Sequence, residues 1–246
     1  MTETEFSSEF DLKYDNASKG APDLDLYEKS VYLTTAEEEI VKAYYTPETN
    51  KLKQGFEMSE KRRRTMSELV KSYAQTTFTQ SSRGIVKDSK FVAIPTNVFY
   101  IVSSHITLVD TKNECNNGRQ ISVRPITHDE FWADNKNPFR RPNRNKAWRL
   151  DISKDGANPV LEIVSPFELS KFEMRYIKAP EPIILTDIAS GEFEGMGLTI
   201  NGKTAPQTCL LNSEIHREVL NRAVELAIRD FRENNLKTQI ETNNRV

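Results

Sequence analysis

The chain has 246 residues, 37% of them hydrophobic and 28% charged, with a net charge of −2 and a mean hydropathy of −0.61. This is long enough for one large domain or one domain with appendages, and no stretch approaches the roughly 18 consecutive apolar residues that a membrane span needs. Cys115 and Cys209 are far apart and form no CxxC pair, which argues against a disulfide framework or a zinc site and for assembly in a reducing cytoplasm.

Charge is unevenly distributed. Residues 1–60 hold fourteen acidic and six basic side chains, a balance of −8, so the remainder carries +6. Such segregation points to a partner surface or an acidic tail. Residues 1–25 are polar and acidic with scattered aromatics at Phe6, Phe10 and Tyr14. They read as an extended arm, ordered against a partner or not at all. The start lacks the basic and apolar regions of a signal peptide.

Residues 26–75 read as a helical segment. Thr35 and Glu38 match a capping box for a helix over 36–45 that stops near Pro47. Ser59 opens a second helix through residue 75, with Met66, Leu69, Val70 and Tyr73 at helical spacing.

Residues 76–205 read as a β-rich domain. Residues 91–110 are rich in β-branched and aromatic types, and Pro95 marks an edge, a bulge or a bend. Asn117-Gly118 is a hairpin turn leading into RQISVRPI. Residues 147–153 and 159–165, joined by DGANP, form a second hairpin, and FEMRYIKAP another strand. Residues 206–233 complete the helical part: Asn212-Ser213 caps a helix whose Leu220, Ala223, Val224, Ala227 and Phe231 share one stripe. Residues 234–246 read as a polar tail. The fold class is therefore α+β: an antiparallel β-sandwich or open barrel, a packed helical bundle and extended terminal arms.

No cofactor fingerprint is present. His105, His128 and His216 fall in a strand, a loop and a helix, without a nucleophile, base and orienter together. Asp129 and Glu130 beside His128 lack a further metal ligand at recognisable spacing. FEGMGLTING has three glycines but no P-loop lysine, and reads as a turn. The chain is expected to have no catalytic, cofactor-binding or metal-binding residues.

The basic groups carry the functional reading. Arg62, Arg63 and Arg64 fall at the start of the predicted 59–75 helix, where the dipole disfavours cations. Between 137 and 149 the sequence has Arg140, Arg141, Arg144, Lys146 and Arg149, no acids, and flanking Phe139 and Trp148. Arginines interleaved with aromatics hold carboxylates of a partner protein or phosphates of a nucleic acid, with a protein contact preferred over a solvated loop or DNA. Arg62, Arg63, Arg64, Phe139, Arg140, Arg141, Arg144, Trp148 and Arg149 are the candidate interface residues.

The phrases LYEKSVYLTTAEEEIVKAYY, FVAIPTNVFYIVSSHITL, VRPITHDEFWADNKNPFRRPNRNKAWRLD, MRYIKAPEPIIL and EIHREVLNRAVELAI resemble the neck ring proteins of crAss-like and related podophages of gut Bacteroidales hosts, over most of residues 26–230. That resemblance implies a virion structural protein, assembled in the host cytoplasm. It implies a dodecameric ring below the portal that joins head to tail and lines part of the DNA exit channel. Portal, other neck or tail proteins and DNA passing without sequence readout are the implied partners; no membrane is. A carbohydrate-binding or host-recognition β-module is the alternative, resting on Trp132, Phe139 and Trp148. An enzyme acting on nucleic acid or cell wall would need clustered carboxylates or histidines that the sequence does not display.

Overall fold

A computed structural model describes residues 1–17, 21–46, 56–79, 84–87, 89–110, 117–155 and 158–243, with backbone alone at 152–155, 192 and 233–243. The chain forms two compact units. The first joins residues 1–69 to 180–246, and the second holds residues 70–179. The fold is α+β, with helices in the first unit and a curled sheet in the second.

The first unit opens on helix α1 (Glu3–Ala17), where an extended arm was expected. Phe6, Phe10 and Tyr14 are four residues apart, so a helix aligns all three on one face, and all three are buried. That face packs on the helix at the other end of the chain, α5 (His216–Asn243). The Phe6 ring lies 5.5 Å from that of His216, and Lys13 Nζ donates to Asn221 Oδ1 at 2.6 Å. Burial of three aromatics, each contributing on the order of 2 kcal/mol, holds α1 as part of the fold.

Helix α2 (Leu26–Tyr45) starts ten residues before the expected position. The operative capping box is Asp25 and Glu28: Glu28 N donates to Asp25 Oδ1 at 2.6 Å, and Asp25 N to Glu28 Oε2 at 3.1 Å. Thr34 lies inside the helix, where its hydroxyl bonds both the carbonyl and the amide of Ile183. Ser30 accepts from Leu185 N. The 183–185 segment is thereby tied along α2.

The predicted 59–75 helix is cut short. Helix α3 (Glu60–Thr65) gives way to a turn at Ser67–Leu69, and strand β1 occupies Val70–Gln75. Val70 and Tyr73 fit a helical stripe by spacing, but six paired positions against another strand outweigh that local pattern. At the C-terminal end, Asn212 Oδ1 accepts from Glu214 N, capping the turn that leads into α5. Leu220, Ala223, Val224 and Ala227 are buried, and α5 packs on α2 and α1. Its backbone stays helical to Asn243, into the stretch expected as a tail.

The second unit is one seven-stranded sheet of order β1-β7-β3-β4-β5-β6-β2. Its remaining strands are β2 (Lys90–Ala93), β3 (Val98–Val109), β4 (Gln120–Pro125), β5 (Lys146–Asp155), β6 (Asn158–Val164) and β7 (Glu168–Lys178). The two predicted hairpins are present as β3/β4 and β5/β6. Gly118 turns the first at φ +74°, a region that favours glycine, and its N–H donates to Leu108 O. Cys115 lies outside the described residues. β4 alternates cleanly: Ile121 and Val123 point to the core while Gln120, Ser122 and Arg124 face out.

The sheet is mixed, not purely antiparallel, because β4 and β5 run parallel. Parallel neighbours need a long crossover, and residues 126–145 supply it. It contains helix α4 (His128–Lys136), capped by Thr127, whose Oγ1 accepts from Glu130 N. His128 is therefore helical and not in a loop. The sheet curls so that its two edges approach without pairing as strands: Thr79 and Phe91 exchange backbone hydrogen bonds of 3.1 and 2.8 Å, and Tyr73 Oη donates to Ala93 O at 3.0 Å. This is the open barrel of the two architectures expected.

Because α1 is integral, Phe10→Ala is expected to lower unfolding free energy by about 3–5 kcal/mol, measured by chemical denaturation. A loss below about 1 kcal/mol would return residues 1–17 to the status of a loose arm.

Candidate interaction surfaces

The two basic groups have different fates. Arg62 is only 8% exposed, its guanidinium 5.3 Å from the centre of the Tyr44 ring. Tyr44 Oη donates to Glu218 Oε2 at 2.8 Å, and Lys61 pairs with Glu218 at 3.5 Å. Burial, then the Glu218 carboxylate, pushes the Tyr44 phenol well above its usual range. Arg62 thus works inside the first unit, while Arg63 and Arg64 are exposed on α3. The three arginines occupy the last turn of a six-residue helix, where the dipole favours cations, so their placement carries no electrostatic cost.

The 137–149 group also divides. Trp148 is 3% exposed and meets Phe131 edge-on at 5.6 Å, within a cluster that includes Leu150 and Val164. It anchors α4 to the sheet. Arg149, on β5, is buried with its Nε 3.9 Å from Asp151 Oδ1. Neither residue is presented to a partner. This also dismantles the aromatic platform of a glycan-binding module, leaving Trp132 at 59% and Phe139 at 89% exposure.

Residues 137–146 form a braced outward knuckle. The Asn137 carbonyl accepts from both Arg140 N and Arg141 N, and its side chain accepts from Phe139 N. Lys146 Nζ donates to Phe139 O at 2.8 Å, and Asn143 Oδ1 accepts from Asn145 N. Arg140 is held by Asp134 at 2.9 Å. Arg141 and Arg144 are exposed, and among the described residues neither pairs with a carboxylate. They border a groove of about 770 Å³ whose walls include Pro138, Pro142, Val164 and Phe167. Of the nine candidates, then, the structure presents Arg63, Arg64, Phe139, Arg140, Arg141 and Arg144, and withdraws Arg62, Trp148 and Arg149.

No catalytic constellation accompanies these surfaces among the described residues, and no group of three His, Cys, Asp or Glu side chains there could hold a metal. His105 is exposed on β3; His216 is buried, its Nε2 2.8 Å from Leu211 O, and burial lowers its pKa. FEGMGLTING is a turn-rich loop with positive φ at Gly195, Gly197 and Gly202.

One buried titratable pair lies beyond the sequence candidates. Glu37 is fully buried and accepts from Cys209 Sγ at 3.2 Å. Burial raises its carboxyl from 4.5 to about 7, and raises the Cys209 thiol as well. The signal was present in sequence: Leu33, Glu37 and Val41 fall four residues apart on one stripe. The unfolded chain ionises near 4.5 while the folded one stays protonated to about 7. Stability from this group is therefore full below pH 4.5 and lost as pH rises to 7, by about 3 kcal/mol. Glu37→Gln should flatten that dependence and stabilise the protein at pH 8 relative to pH 5, read by thermal melts at the two pH values. An unchanged pH slope would contradict the assignment.

Comparison with known proteins gives these surfaces their context. The family described as phage tail ring protein 3/4 matches residues 1–239.

The chain belongs to the phage tail ring protein 3/4 family.

Ring protein 3 of Bacteroides phage crAss001 is 37% identical over 230 residues, 93% of this chain and 95% of that protein. Ring protein 4/5 of the same phage is 37% identical over 231 residues, 92% of each. The resemblance carried by the sequence phrases is thus shown, and the family match extends past 26–230 to include α1. Membership makes this a structural ring protein of a phage virion.

Proposed function

We propose that this chain assembles as a closed homo-oligomeric ring of twelve copies in the neck of the virion, between portal and tail. DNA passes through the ring without sequence readout, and the protein catalyses no reaction. The observation that carries this reading is the match over nearly the whole chain to proteins named as rings. Physical features support it. Opposite charge is segregated along the sequence, −8 over residues 1–60 against +6 beyond. Two different faces of one subunit can then attract, which is the heterologous contact that closes a ring. Phe139, Arg141 and Arg144 stand out on a stiff crossover, and Arg63 and Arg64 on α3.

Ring formation is tested by purifying the chain alone and imaging it by negative-stain electron microscopy. The expected result is closed rings with twelvefold class averages. A monodisperse monomer at every concentration, or open filaments, would contradict the proposal.

A further inference from the structure

The groove beside the crossover knuckle has apolar walls from Pro138, Pro142, Val164 and Phe167, polar Asn135, Asn143, Asn145 and Ser165 between them, and Arg141 and Arg144 at its border. A complement needs an apolar projection flanked by carboxylates. Helix α1 presents one. Its inner face is the Phe6, Phe10 and Tyr14 stripe. Its outer face is Glu5, Ser8, Leu12 and Asp15, all exposed and three or four residues apart, so they lie along one side. Leu12 is 64% exposed, with Asp15 one turn after it and the half-buried Glu9 one turn before. Among the described residues Glu5, Glu9 and Asp15 form no ion pair, and neither do Arg141 and Arg144.

We propose that the outer face of α1 in one copy docks in the Pro138–Arg144 groove of the next copy. Leu12 enters the apolar groove, and Glu9 and Asp15 meet Arg141 and Arg144. The proposal rests on the ring reading and names the surfaces that would join its subunits. Three physical points favour this occupant. Guanidinium forks pair with carboxylates through charge-assisted hydrogen bonds that strengthen as water leaves. The knuckle is already fixed by its prolines and by the Asn137 and Asn143 turns, so little conformational freedom is lost on docking. Groove and α1 are different faces, so the contact is head-to-tail and can propagate around a ring. DNA, the rival anion, offers phosphates to the arginines but nothing for the apolar walls.

The test uses a charge swap in the full chain. Variant one carries Arg141→Glu and Arg144→Glu; variant two carries Glu9→Arg and Asp15→Arg. Each alone places like charges across the contact, and sedimentation velocity should show assembly weakened by about 100-fold or more. Mixed in equal amounts, the two variants face opposite charges at every contact and should close into alternating rings. A folding defect in either variant could not be rescued in this way. Failure of the mixture to assemble, with wild-type rings intact, overturns the proposal. So does a first variant that still forms normal rings; if it has also lost binding to a short DNA duplex, the groove is a DNA surface. In both cases the ring reading stands. Wild-type chain that never assembles removes the ring reading and this contact together.

Discussion

The parallel pairing of β4 and β5 is the constraint on which the presented surface depends. Two parallel neighbours cannot be joined by a tight turn, so the chain must leave the sheet at Pro125 and return at Lys146. The outgoing half of that excursion is pinned. Thr127 caps α4, and Phe131 locks it to Trp148 and Leu150 on the strand that the crossover must reach. The returning half has no sheet to pair with and is braced by its own turns around Asn137 and Asn143. It is forced outward, and it holds Phe139, Arg141 and Arg144 in solvent. The exposed knuckle follows from topology, and its stiffness from prolines and side-chain caps. Stiffness is what an interface repeated around a ring requires, because each ordered loop costs conformational entropy once per contact.

The first unit obeys a second constraint, the burial of one face of three helices. α5 packs against both α2 and α1, with Leu220 and Val224 buried on α5 and the aromatic stripe buried on α1. Among the described residues of α1 and α2 the acids other than Glu37 are exposed or half-buried, since the apolar side of each helix is occupied. Glu37 is the exception, a carboxyl inside the packed face with only a thiol as donor among the described residues. A carboxyl held that way is neutral under mildly acidic conditions and costly above its raised pKa. The unit consequently carries a pH-dependent weakness that a glutamine would remove.

Much of this was legible in the residues. The two hairpins, the FEGMGLTING turns, the α5 stripe and the α+β class follow from local turn chemistry and periodicity, which act over a few residues. What escaped needed information from far along the chain. β1 mimics a helix by spacing, and its strand identity comes from pairing with β7 a hundred residues away. The α1 aromatics fit a helix equally well, but in a polar context their burial depends on α5. The capping box was misplaced because Thr35–Glu38 and Asp25–Glu28 carry the same pattern, and only the second lies where the chain turns. Within residues 137–149, residue type could not separate exposed Arg141 and Arg144 from buried Trp148 and Arg149. That division is set by the start of β5, where side chains begin to pack against α4. Arg62 was lost for the same reason, to the ring of Tyr44.

One stiff crossover and one segregated charge pattern suit this subunit to the proposed closed ring. Cryo-electron microscopy of the intact virion tests that claim most directly. It predicts a closed ring of this chain in which residues 138–145 are buried against the adjacent copy. A ring in which those residues face solvent or the DNA channel, with no neighbouring subunit against Arg141 and Arg144, would contradict it.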